Sequence, residues 1–109
     1  MKTYEEFHGN ILISDIGKRL REIIKTEKTS FKILTGYGST SSSCKSKDAA
    51  IKSLKKMQKE GLIKAFLPGE INRMLLTEND YFYDAKIRYL KDIKNDKDLG
   101  NDGIIFIFL

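Results

Sequence analysis

A chain of 109 residues, 40% hydrophobic and 32% charged, is the size of one soluble domain with a moderate core. No apolar run approaches the length that crosses a bilayer, and no signal-peptide pattern opens the chain. The lone Cys44 excludes an internal disulfide framework and a cysteine zinc cluster, so a reducing cytoplasm is the expected compartment, and the net charge of +5 directs attention to polyanions.

Thr3 to His8 is the first expected strand, although Glu5 and Glu6 interrupt its apolar pattern. Ser14 is a cap for a helix whose apolar positions, Ile16, Leu20, Ile23 and Ile24, share one face. Phe31 to Leu34 is the second strand. Ser46 is the expected cap of a second helix, with Asp48 in its first turn. Ala50, Leu54 and Met57 form the buried stripe of that helix, and Gly61 stops it. Leu62 to Leu67 is a third strand, ended by Pro68 and Gly69. Residues 70–76 read equally as a short helix or a loop. Thr77 to Asp80 is a helix start, and Phe82, Ala85, Tyr89 and Ile93 make the stripe of a helix reaching Lys94. Asn95 to Asp102 is a polar loop, and Ile104 to Leu109 is a continuous apolar run that closes the chain as a buried strand.

Strands alternating with amphipathic helices imply an α/β layer architecture with parallel crossovers. Right-handed crossovers carry the loops after the first two strands to the same edge of the sheet. His8 and Gly9 are therefore expected beside Thr35 to Gly38, at the edge where open α/β sheets bind ligands.

Two features at that edge carry chemistry. The stretch Phe31 to Ser43, FKILTGYGSTSSS, runs from a strand through Gly36 and Gly38 into a string of hydroxyls. Alternate glycines let a backbone turn sharply and present amides, and such a loop before a helix suits an anion. A plain tight turn has the same pattern. The second feature is charge. Lys45, Lys47, Lys52, Lys55, Lys56, Lys59 and Lys64 face only Asp48 and Glu60 between residues 45 and 64, a balance equal to that of the whole chain. A basic helix beside a glycine loop points to nucleic acid, against the simpler alternative of a solvated lysine-rich face.

These residues resemble the Smr (small MutS-related) domain family. The family carries a Leu-Asp-x-His-Gly motif after its first strand, which Glu5-Glu6-Phe7-His8-Gly9 resembles with Glu6 in place of the aspartate. Its His/Thr-Gly-x-Gly motif is similar to Thr35-Gly36-Tyr37-Gly38, followed here by Ser39 and Ser41. Leu62 to Pro68 resembles its third strand, and Asn101-Asp102-Gly103 its turn before the last strand. The resemblance implies a single domain over residues 1–109, a two-layer βαβαββ-type sandwich like the C-terminal domain of a bacterial translation initiation factor, with residues 70–97 inserted and supplying an extra helix before the last strand.

The resemblance also implies DNA or RNA as partner, with nicking or cleavage of phosphodiester bonds as the activity. On that reading His8 is the acid or base and Glu6 orients it or binds a hard metal such as Mg²⁺ or Mn²⁺. Thr35, Gly36, Gly38 and Ser39 hold the phosphate. Tyr37 stacks on a base, and Lys45, Lys47, Lys52 and Lys55 contact the backbone. The alternatives are a binding module without cleavage, or a protein-interaction domain using the inserted helix. That helix covers either its own sheet, the favoured expectation, or a second copy in a homo-oligomer.

Overall fold

The computed structural model describes residues 1–36 and 45–109. Its strands are β1 (Lys2–Tyr4), β2 (Phe31–Leu34), β3 (Ala65–Pro68) and β4 (Ile104–Phe108), and its helices α1 (Ile16–Thr26), α2 (Lys45–Lys59) and α3 (Tyr83–Ile93). The four strands form one mixed sheet in the order β1-β2-β4-β3. β1 lies parallel to β2, and β4 enters between β2 and β3 antiparallel to both. The last connection is therefore not the parallel crossover that simple alternation predicts, because β4 returns through the centre of the sheet.

Alternation along β4 explains why its apolar run has no polar position. Ile105 and Ile107 point into one core with Phe31, Ile33 and Phe66 of the neighbouring strands, Ile16, Leu20 and Ile23 of α1, and Ala50, Leu54 and Met57 of α2. Ile104, Phe106 and Phe108 point into a second core with Ala65, Leu67, Ile71 and Ile93. A strand buried on both faces reads as a continuous hydrophobic run. Tyr89 of α3 stacks on Phe108 with ring centroids 4.5 Å apart, so α3 covers the chain's own sheet on the face opposite α1 and α2. The expected two layers become three where α3 lies.

Several boundaries differ from the sequence expectation. β1 ends at Tyr4, and the Glu5 carbonyl accepts from the His8 amide at 3.0 Å, a turn that swings Phe7 fully into the core. Ser14 does not cap α1. It sits in a 3-10 turn, Ile13–Asp15, whose Ile13 carbonyl accepts from the Ile16 amide at the helix start. Ser46 lies inside α2, where its hydroxyl bridges the Gly36 amide and carbonyl. β3 starts at Ala65 because Leu62 still serves the end of α2, its amide donating to the Met57 carbonyl at 2.9 Å. Thr77 to Asp80 forms a turn closed by the Asp80 carboxylate on the Thr77 amide, and α3 begins only at Tyr83. Between them Phe82 packs against both cores, and so closes round the outer side of the edge strand β3.

Candidate functional site

The C-terminal ends of β1, β2 and β3 and the start of β4 meet at one edge of the sheet. Phe7 anchors the turn after β1, leaving His8 and Gly9 exposed, with Gly9 at φ 82°. The Phe7 carbonyl accepts from the Gly36 amide at 3.3 Å. The juxtaposition of His8-Gly9 with Thr35-Gly36 expected from the crossovers is thus present. Tyr37, Gly38, Ser39 and Cys44 lie outside the described residues.

Of the groups assigned to phosphate, the two described ones, Thr35 and Gly36, are engaged internally. Thr35 is fully buried, and both its amide and its hydroxyl donate to the Gly103 carbonyl, at 2.7 and 2.8 Å. Its hydroxyl is a bolt between β2 and the turn before β4, not a ligand presented to solvent. The Gly36 amide is shared between the Phe7 carbonyl and Ser46 Oγ, the latter at 2.9 Å. Lys47, expected to contact the nucleic-acid backbone, is buried and paired with Glu70 just after β3.

Glu6 does not orient His8. Arg19 of α1 grips its carboxylate through two bonds, Nε to Oε2 at 2.9 Å and Nη2 to Oε1 at 3.1 Å. The hydrogen bond to Glu6 also raises Arg19 above its ordinary value, against a lesser opposing effect of burial. A hard cation takes about six oxygen ligands. Among the described residues no three His, Cys, Asp or Glu side chains converge on a point that could hold a metal ion. With Glu6 committed to Arg19, these residues do not fit a Mg²⁺ or Mn²⁺ centre.

The solvent face of α2 is mainly cationic. Lys45, Lys52, Lys55, Lys56 and Lys59 of α2 all face solvent, while Ala50, Leu54 and Met57 face the core. Lys55 Nζ sits 4.6 Å from the centroid of the Tyr81 ring, whose hydroxyl donates to Gln58 Oε1 at 2.7 Å. Burial pushes the Tyr81 phenol up. Glu70, Arg19 and Tyr81 were not legible as partners of Lys47, Glu6 and Lys55, since each contact joins segments distant in the chain. α1 adds Lys18, Arg21 and Lys25, a spacing of three and four that places them on one helix face and was visible in the sequence.

Among the described residues, no helix is long and apolar enough to cross a membrane. No family model matches the chain, and neither a curated protein nor a solved structure is found to be similar to it.

Proposed function

We propose that this domain binds DNA or RNA through the exposed cations of its helical layer, and that its fold is of the Smr-like type. The observation that carries the binding reading is the split of α2 into a buried apolar stripe and a solvent face bearing Lys45, Lys52, Lys55, Lys56 and Lys59. Such a face neutralises phosphates and releases their counterions. The Smr-like reading is supported by the order of elements and by the contact of Phe7 with Gly36, which brings both resembling motifs to one edge.

A second reading, cleavage of the bound strand, is favoured by one observation. His8 is exposed on a turn beside Gly36, where an imidazole can reach a ligand at the sheet edge. In that reaction His8 takes the proton of the attacking water or hydroxyl, or gives one to the leaving oxygen. A gel assay on labelled DNA and RNA, with and without Mg²⁺ and Mn²⁺, tests both readings. Shifted bands without shortened products support the binding module. Products that disappear in His8→Ala, with a rate loss of about two to four orders of magnitude and binding retained, support cleavage. Neither shift nor product on any substrate removes both.

A further inference from the structure

α1 and α2 pack so closely that a Cβ added to Gly17 would lie 2.9 Å from Ser53 Oγ. Their approach leaves an open groove of about 580 Å³ along the outer surface. Its walls carry Lys18, Arg21 and Lys25 from α1 and Lys56 from α2, against the single carboxylate of Glu22. Lys18, Lys25 and Lys56 are exposed, whereas Arg21 shares its charge with Glu60 at 2.8 Å. Cations stand on both of its walls, Lys18 and Lys25 on one and Lys56 on the other, which suits a chain of anions.

We infer that this groove is a track for one phosphodiester backbone, seated between the two helices and leading to the edge where His8 and Gly36 meet. The inference rests on the nucleic-acid reading above and assigns the binding surface to both helices, not to α2 alone. Its dimensions fit. Lys18 and Lys25 are separated by about 10 Å along a helix rising 1.5 Å per residue. A span of that length holds more than one phosphate of a backbone. The crossover from β1 brings the start of α1 to the same sheet edge as the His8 turn, which gives the track its direction.

The test is Lys18→Gln, Lys25→Gln and Lys56→Gln together, compared with Arg88→Gln and Lys91→Gln on α3 and Lys94→Gln at its C-cap. Both variants lose the same formal charge, but on opposite faces of the sheet. Binding of short labelled duplexes and single strands, in DNA and RNA form, is followed by fluorescence anisotropy across a salt series, with circular dichroism confirming the fold. The groove variant is expected to lose affinity about equally for every sequence and to lower the slope of log K against log salt by about 2 to 3, while the α3 variant stays near wild type. Equal losses in both variants overturn the track, because net charge alone then explains them. A groove variant that binds like wild type, alongside a weakened Lys52→Glu/Lys55→Glu variant, overturns the track and leaves the nucleic-acid reading standing. Wild-type protein that binds none of the probes overturns both.

Discussion

Lys47 Nζ and Glu70 Oε2 form an ion pair that ties the first turn of α2 to the segment just after β3. The pair sits beneath the surface, with the Lys47 side chain only 9% exposed. A lysine in the middle of a basic run thus serves the fold. Removing one member of a buried pair strands the other charge, at a cost of about 3 kcal/mol or more. Lys47→Met is expected to lower unfolding stability by that order in urea, whereas Lys52→Met leaves it within about 0.5 kcal/mol, as exposed positions do. Equal stability of the two variants would count against the pairing.

Lys32 extends the same logic to the other face. It occupies the centre of β2 between Phe31 and Ile33 but points away from them, 2.7 Å from Asp96 Oδ1 and 2.8 Å from Asp98 Oδ2. Burial alone would lower Lys32 and raise Asp96. The hydrogen bonds and charges between them outweigh it, so Lys32 is raised above 10.5 and Asp96 held below 3.8. The Lys32 contribution is full below 10.5 and is lost as pH rises through its folded value. The Asp96 contribution is full above 3.8 and is lost as pH falls through its own lower value. Lys32→Met should cost about 3 kcal/mol at neutral pH. The gap to wild type should shrink in acid, once Asp96 takes up its proton. A gap independent of pH between neutrality and strong acid contradicts the assignment.

Gly69 and Gly9 offer a contrast. A Cβ at Gly69 would lie 2.0 Å from the Asn101 carbonyl oxygen, where the β3 exit presses on the turn before β4. At Gly9 nothing lies within 4 Å, but φ is 82°. Gly9→Ala should therefore cost about 1 kcal/mol through backbone conformation alone. Gly69→Ala should cost clearly more, since backbone atoms must move apart. Thermal unfolding of the two variants checks the order.

α3 belongs to the domain's own core. Tyr89→Asp would place a charge against Phe108 and the second core. The variant is expected to unfold or aggregate, as judged by near-UV circular dichroism and light scattering. A folded variant that merely changes its oligomeric state would make the helix an interface instead.

Periodicity was enough to find the three amphipathic helices and the apolar closing strand, because the stripes of α1, α2 and α3 and the run from Ile104 record burial directly. It also brought His8 and Gly36 together through the handedness of crossovers. What it missed are properties of contact. The placement of β4 between β2 and β3 leaves no mark in β4 itself, since a strand buried on both faces looks alike at any interior position. The pairings of Lys32 and Lys47 leave no mark in the sequence, because their carboxylate partners, Asp96, Asp98 and Glu70, lie far along the chain. Thr35 fits a phosphate loop by pattern, yet its hydroxyl is consumed by the Gly103 carbonyl, a bond that exists only once β4 is in place.

Nucleic-acid binding by the cationic helical face is tested by the salt dependence of binding in a variant carrying Lys45→Glu, Lys52→Glu and Lys55→Glu. All three positions are exposed, so the fold should persist. Wild-type affinity for DNA or RNA should fall steeply and linearly on a log–log salt plot, and the variant should bind far more weakly with a shallower slope. Affinity that is unchanged in the variant, or a wild-type protein whose binding ignores salt, would rule out binding through this face.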